Sequence, residues 1–168
     1  LIEPHQLLEG RLIHRPPIAG PQRPHQPADQ SPVVRQLMSL RTVDALVVTS
    51  LPNLTYLTNF SGSAGIALVA AERVIFLADF RYVAAVEAIQ QAAHACPGLE
   101  LVTVDGSYDG ALADAIERLS VSRVGFEAAN LTVSRYQWLT ATVAAHGSRS
   151  ELVRTEGIVE AARVIKDE

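Results

Sequence analysis

Apolar and polar positions follow helical and strand-like periods in turn along the chain after residue 32. Residues 43–49, VDALVVT, form a short β-branched run with one charge, which predicts a buried strand, parallel and central in its sheet. The apolar positions just before this run recur at helical spacing. Ser31-Pro32 stands in front of them, and this pair predicts a helix start with serine as the cap.

A glycine- and serine-rich stretch, FSGSAG at residues 60–65, predicts a loop, because glycine permits close backbone approach. A break at Pro52-Asn53 and a short helix lead into it. Residues 66–69 and 74–78 are two apolar runs separated by a turn of favoured length, which predicts a hairpin. The loop therefore lies between a helix end and the first strand of the hairpin.

The remainder of the chain alternates between helices and strands. Residues 79–82, DFRY, close the hairpin and begin a helix that we expect to reach about Ala95, ahead of Pro97-Gly98. Strands at 99–104, 123–127 and 151–153 follow, with helices capped by Ser107, Thr132 and Thr155, the last helix starting at Glu156. This order predicts an α/β fold in three layers, a mixed β-sheet with helices on both faces.

Composition divides the 168 residues into two parts. Residues 1–32 hold seven of the nine prolines and three of the five histidines, so we expect a disordered Pro/His-rich leader before a domain at 33–168. The leader lacks the apolar core of a secretory signal, and we expect a cytoplasmic protein. The net charge of −4 and the absence of a long apolar run argue against nucleic-acid and membrane partners.

Candidate chemistry is sparse in the predicted domain. Its two histidines, His94 and His146, have no partner set that would complete a serine triad or a metal centre. The FSGSAG loop could form an anion-binding concavity or be only a tight connection. Asp79 and Arg81 are typical of an ion pair or a cap at a helix start. The residues by themselves favour a binding or assembly role over catalysis.

Several segments together resemble one family. These are DALVVT at 44–49, PNLTYLTNFSGSAG at 52–65, ADFRY at 78–82, VGFEA at 124–128 and RVIKDE at 163–168. They are similar to the amino-terminal domain of creatinase/prolidase-type enzymes, most of all Xaa-Pro aminopeptidases. Asn59 stands where the family commonly has glycine, and Phe80 stands where glycine usually precedes the Arg-Tyr pair.

The resemblance implies a non-catalytic domain that serves subunit assembly and the substrate entrance. It implies no cofactor and no catalytic or metal residue in this chain. Two divalent metal ions, manganese by preference, would be bound by five ligands, two Asp, one His and two Glu, in a carboxy-terminal pita-bread domain that we expect to be absent from this chain. For the rim of the entrance and the subunit contact, the resemblance points to Phe60, Ser61, Ser63, Arg81 and Tyr82. Arg81 would hold either a substrate carboxylate or a structural aspartate.

The implied partners are the protein's own C-terminal catalytic domain, a second subunit in a full-length homodimer, and a peptide with proline at its second position. We expect the isolated domain to dimerise weakly or not at all. Two alternatives remain at this point. The chain could be a stand-alone module for dimerisation or peptide binding, or it could be the corresponding domain of a creatinase-type amidinohydrolase.

Overall fold

The computed structural model describes residues 30–93 and 95–164. All but the last three residues of the predicted leader lie outside this part, as does His94. The helices are α1 Ser31–Leu40, α2 Leu51–Thr58, α3 Val83–Gln91, α4 Tyr108–Leu119, α5 Val133–Ala145 and α6 Ile158–Val164, with a 3-10 turn at Phe80–Tyr82. The strands are β1 Ala45–Val48, β2 Ile66–Val69, β3 Val74–Asp79, β4 Leu99–Val104, β5 Arg123–Glu127 and β6 Glu151–Thr155.

The six strands form one mixed sheet in the order β4-β3-β2-β1-β5-β6. Pairing is antiparallel between β1 and β2 and between β2 and β3, and parallel at the other three junctions. Only β2 therefore runs against the other five. At the centre, Val47 lies opposite Leu68 on one side and Phe126 on the other. The prediction that the first strand is central is confirmed, with a parallel neighbour on one side only.

Helices cover both faces of the sheet, as the alternation of elements predicts. Leu46 and Val48 of β1 face a core formed with α1, α2, α3 and α6. Ala45 and Val47 point the other way, into a core formed with α4 and α5. Because every residue of β1 and β2 is buried, these strands are apolar throughout rather than alternating. The three-layer α/β fold class is thereby confirmed.

Two of the predicted helix caps are present. The Ser107 hydroxyl accepts from the backbone N–H groups of Asp109 and Gly110 at 3.2 and 3.4 Å. The Thr132 hydroxyl accepts from the N–H of Arg135 at 3.2 Å. Each cap satisfies a donor that the first turn of a helix leaves unpaired.

The other two predicted caps are wrong. Thr155 is the last residue of β6, and its hydroxyl donates to the carbonyl of Phe126 at 2.8 Å. The last helix begins at Ile158, after Gly157 with φ of 67° turns the chain out of the strand. At the other end of the domain, Ser31 is inside α1, and the cap position is Gln30 without a side-chain cap bond.

Two element lengths also differ from prediction. The helix after the hairpin ends at Gln91, not near Ala95, because Ala92 takes an extended conformation. The first strand is shorter than predicted, because Thr42 takes a positive φ of 53° and the N–H of Val43 bonds back to Met38 of α1. Within the described ranges, no helix has the length and apolarity needed to cross a lipid bilayer.

The centre of the sheet depends on a residue without a side chain. A Cβ atom on Gly125 of β5 would lie 3.0 Å from Thr155 Cγ2 and 3.2 Å from Leu46 Cδ1. A Cβ on Gly106, in the turn before α4, would meet nothing within 4 Å. The two glycines therefore offer the same substitution in a crowded and in an open environment.

We predict that Gly125→Ala lowers the free energy of unfolding by about 1–3 kcal/mol, because the packed strands must move apart. Urea unfolding followed by circular dichroism measures this change. Gly106→Ala is the matched control and should change stability by less than about 0.5 kcal/mol. Equal stability of the two variants would contradict the packing described here.

Candidate functional site

The candidate site lies at the end of the sheet where the carboxyl ends of five of the six strands, all but β2, lie together. Ligands of open α/β sheets bind outside the carboxyl ends of the strands. Two groups of side chains lie at this edge. We call Phe60, Ser63, Asp79, Arg81 and Tyr82 the rim cluster. We call Asn53, Glu127, Glu160 and Arg163 the polar joint.

The loop that contributes to the rim is set by the end of α2. Asn59 follows the helix in the left-handed conformation, with φ of 59°. Glycine and asparagine are the residues that accept this conformation most readily, so asparagine serves where the family commonly has glycine. The Thr55 hydroxyl then donates to the carbonyl of Phe60 at 2.8 Å, and the N–H of Phe60 donates to the Thr58 hydroxyl at 3.3 Å.

Phe60 is the buried member of the rim cluster and lies beneath its exposed members. Its side chain is 2% exposed and makes edge-to-face contacts with Phe76 and Tyr82, at centroid distances of 4.9 and 5.3 Å. Gly62 folds back over this ring so closely that a Cβ there would lie 2.1 Å from Phe60 Cζ. The loop therefore needs glycine at residue 62, and Phe60 anchors the loop to the core.

The two serines of the loop are exposed, but their surroundings differ. Ser63 Oγ lies 2.7 Å from the Tyr82 hydroxyl, a hydrogen bond that joins the loop to the turn after β3. Ser61 is solvent-facing at the top of the loop. The structure thus brings four of the five predicted residues together, Phe60, Ser63, Arg81 and Tyr82, while Ser61 is exposed in the same loop.

Arg81 holds a structural aspartate, one of the two roles left open for it. Its Nε and Nη2 donate to the two carboxylate oxygens of Asp79 at 2.9 and 2.7 Å. Asp79 also caps the 3-10 turn by accepting the N–H of Arg81 at 3.1 Å. The ion pair and the cap expected of these residues therefore occur together. The hydrogen bonds from Arg81 hold the pKa of the Asp79 carboxyl well below its usual range.

Tyr108 completes the surroundings of Asp79 from the first turn of α4. Its hydroxyl donates to Asp79 Oδ2 and accepts from the N–H of Asp79, both at 3.0 Å. Burial raises the pKa of the Tyr108 hydroxyl. Sequence reasoning missed this residue, because nothing local indicates a contact between positions 29 residues apart.

The polar joint is centred on the carboxylate of Glu127, at the end of β5. Glu127 is 8% exposed, and its Oε2 accepts the backbone N–H groups of Thr49 and Ser50 at 2.7 and 2.8 Å. These donors lie at the start of α2, where a negative charge is favoured. Oε1 accepts from the Asn53 side chain at 2.5 Å.

Asn53 extends the joint to α6. Its amide also donates to Glu160 at 2.8 Å, and its carbonyl accepts from Arg163 Nη1 at 3.0 Å. Nearby, the Tyr56 hydroxyl donates to the carbonyl of Ala162 at 3.0 Å. Sequence reasoning noted Asn53 only as a strand breaker and gave Glu127 no role. Their partners are 74 or more residues away.

Groups that could bind a metal are few in the part of the chain that the structure describes. Asp114, Glu117 and His146 offer ligand atoms within 4.8 Å of one another, all on exposed residues. His146 Nδ1 already lies 3.1 Å from the carboxylate of Glu117. Cys96 is buried, with its sulfur 3.7 Å from the Ser31 hydroxyl. The described residues do not bring together a five-ligand set of the kind that the resemblance implies for a dinuclear centre.

Comparison with known proteins gives a family match over the whole packed part of the chain. Residues 33–165 match the model of the Creatinase/Prolidase N-terminal domain. The chain is similar to an uncharacterised peptidase, YqhT, from Bacillus subtilis, with 33% identity over 133 residues. That match covers 79% of this chain and 35% of the Bacillus protein.

Solved structures share the fold. One is an Xaa-Pro dipeptidase from Bacillus anthracis, with TM-score 0.71 and 29% identity over 83% of this chain and 36% of that one. Another is the N-terminal domain of the cytoplasmic peptidase PepQ from Mycobacterium tuberculosis, with TM-score 0.68 and 29% identity over 82% of this chain and 100% of that one. The chain spans about a third of the length of the two longer relatives.

The ion pair at the rim predicts a pH-dependent contribution to stability. The folded pKa of Asp79 is depressed, so its contribution is fully present above the ordinary aspartate pKa of 3.8 and is lost as pH falls toward the folded value. We predict that Asp79→Asn is less stable than the parent at pH 7 and that the difference shrinks below about pH 4. Thermal unfolding across pH 2.5–7 measures this.

Asp105→Asn is the matched control, because Asp105 is exposed in the next loop at the same edge. Its unfolding temperature should follow that of the parent at every pH. A constant difference between Asp79→Asn and the parent from pH 7 to pH 2.5 would show that the ion pair does not stabilise the rim.

Proposed function

Because this chain belongs to the creatinase/prolidase N-terminal domain family, we propose that it is the non-catalytic N-terminal domain of a metal-dependent Xaa-Pro peptidase. In this proposal the rim cluster shapes the entrance to the peptidase active site and takes part in subunit contact. The observation that supports it most directly is the joining of the Phe60–Gly65 loop to the Asp79–Tyr82 turn at one edge of the sheet.

The rim has the chemistry of a peptide-contacting surface. Phe80 is 78% exposed and stands beside Arg81, whose side chain is 62% exposed even in its ion pair. The guanidinium of Arg81 also lies 5.5 Å from the centre of the Tyr82 ring. An aromatic ring and a fixed cation at a rigid edge suit contact with a peptide chain. Phe80 adds an apolar side chain where the family usually has none.

The proposed catalytic partner is a C-terminal domain of the same polypeptide. Support comes from the lengths of the relatives, of which this chain matches about a third. Further support comes from α6, which packs on α2 directly ahead of the rim loop. A domain following α6 would therefore start on the same side of the sheet as that loop.

Metal chemistry belongs to that domain in our proposal. Two divalent metal ions, manganese by preference, would be bound there and would activate a water for attack on the peptide bond. The residues of this chain would orient the approaching peptide and limit access of water. We further propose a full-length homodimer, a cytoplasmic location and a substrate with proline at its second position.

We predict that the pure 168-residue chain hydrolyses no Xaa-Pro dipeptide, with or without Mn²⁺, because its described residues assemble no complete dinuclear site. A fluorogenic or chromatographic assay over several hours measures this, with a known Xaa-Pro peptidase as the positive control. Metal-dependent turnover by the chain alone would contradict a non-catalytic role.

The gene's reading frame beyond codon 168 separates the proposal from the alternative of a stand-alone module. A continuation with two Asp, one His and two Glu in metal-ligand positions would support the peptidase. A stop codon directly after residue 168 would favour the stand-alone module.

The entrance role predicts a change in KM. In the polypeptide that carries the catalytic domain, Phe80→Ala should raise KM for an Xaa-Pro peptide several-fold and leave kcat within about twofold, since the binding lost is common to the substrate and the transition state. Leu40→Ala is the control, because Leu40 is 72% exposed at the opposite edge of the sheet. An unchanged KM for Phe80→Ala would show that the rim does not shape the substrate entrance.

A further inference from the structure

A second candidate site lies at the opposite end of the strands from the rim cluster. There a pocket of about 700 Å³ opens between the end of α1, the β2–β3 turn and the loop before β5. Its wall is mixed, because half of the lining residues are apolar and half are polar or charged. The apolar residues are Met38, Val43, Ala70, Ala71, Leu119 and Val121, and the others are Arg35, Gln36, Ser39, Asp44, Glu72 and Arg73. A wall of this kind suits a small molecule that has both an apolar body and a polar group.

Arg35 of α1 is the polar group of this pocket whose pairing is incomplete. Its Nε donates to the carbonyl of Ala70 at 2.8 Å, which fixes the side chain across the top of β2. Nη2 is buried and has no hydrogen-bond partner, and none is present for Nη1 among the described residues. Arg35 as a whole is half-buried, but a buried guanidinium nitrogen without an acceptor is unfavourable. Nη2 therefore favours a bound acceptor, and a carboxylate oxygen is the acceptor that suits a guanidinium best.

The carboxylates nearest to the pocket do not supply that charge. Asp44 is used by the backbone, accepting the N–H groups of Ser122 and Arg123 at 3.1 and 2.8 Å. Glu72 is exposed in the β2–β3 turn and forms no ion pair with Arg35. The other arginine of the pocket, Arg73, faces Glu100 at 3.4 Å. Arg35 is thus the cation of this pocket without a carboxylate partner among the described residues.

We propose that this pocket binds a small organic monocarboxylate with an apolar body. The carboxylate would accept hydrogen bonds from the terminal nitrogens of Arg35, an arrangement that guanidinium groups favour. The apolar body would lie against the aliphatic wall. A dianion such as phosphate suits the pocket less well, because Asp44 and Glu72 add negative charge to its lining.

This site is independent of the proposed peptidase role. It lies at the amino ends of β1 and β3, whereas the rim lies at the carboxyl end of β3. Failure of either proposal would leave the other unaffected.

A matched pair of ligands tests the proposal. N-acetyl-leucine and its amide, N-acetyl-leucinamide, have the same apolar body, and only the acid carries a charge. In an NMR titration of the full 168-residue chain, the acid should shift the amide signals of Ala70 and Ala71 and the Arg35 Nε–H signal saturably. We expect the amide to bind at least about tenfold more weakly, the value of one charged hydrogen bond.

Two variants and one control identify the residues involved. Arg35→Gln should remove the preference for the acid, whereas Arg41→Gln should keep it, because Arg41 is exposed directly after the same helix and outside the pocket. Ala71→Trp, at an exposed turn, should fill the pocket mouth. It should weaken binding of both the acid and the amide, because it blocks the pocket and leaves Arg35 in place. Each variant's amide spectrum reports whether it is folded.

Three results would overturn the proposal. They are equal binding of acid and amide, unchanged preference for the acid in folded Arg35→Gln, and shifts that rise linearly without saturation. The last result would show an adventitious additive only, with a hydrated guanidinium in the pocket.

Discussion

A buried carboxylate at the end of β5 sets the arrangement of the elements around it. A buried carboxylate needs hydrogen-bond donors, and Glu127 finds them on the first backbone groups after β1 and on Asn53. This fixes where α2 begins and how it points. Because Asn53 also binds Glu160 and Arg163, the same carboxylate sets the position of α6.

The short helix α2 passes this constraint on to the rim. It has eight residues, with the polar joint at its start and Asn59 at its end. A helix this short is marginal by itself and takes its stability from packing and from its ends. The Phe60–Gly65 loop therefore begins at a defined point and direction, and Phe60 only has to fill the space beside Phe76. The rim and α6 are therefore connected through α2, which contacts α6 at its start and leads into the loop at its end.

The sequence was most informative where structure depends on near neighbours. The hairpin, the Ser107 and Thr132 caps and the central strand follow from local patterns, and all are present. Thr155 shows the limit, because a hydroxyl before an acidic residue is typical of a cap but serves the sheet here. At the rim, Asp79 and Arg81 are only two positions apart in sequence, and this made their ion pair predictable.

The contacts that sequence reasoning missed all join distant positions. Tyr108 reaches Asp79 across 29 residues, and Asn53 reaches Glu127 across 74. A single sequence carries no signal for such pairs. For the same reason, it could not show that Arg35 Nη2 is buried without a hydrogen-bond partner. The pattern of apolar residues indicates which side chains are inside, but the pairing of polar groups depends on topology.

The outer strand β6 carries a further consequence. Its own charges are engaged sideways, Glu151 with Arg123 of the neighbouring strand and Arg154 with Glu156 just beyond the strand end. Charged side chains along an edge oppose the addition of a strand from another molecule. On this side, therefore, the sheet resists the addition of a strand from another molecule, while its other edge strand is β4. Any contact that another chain made on the β6 side would therefore involve side chains, helices or loops rather than an added strand.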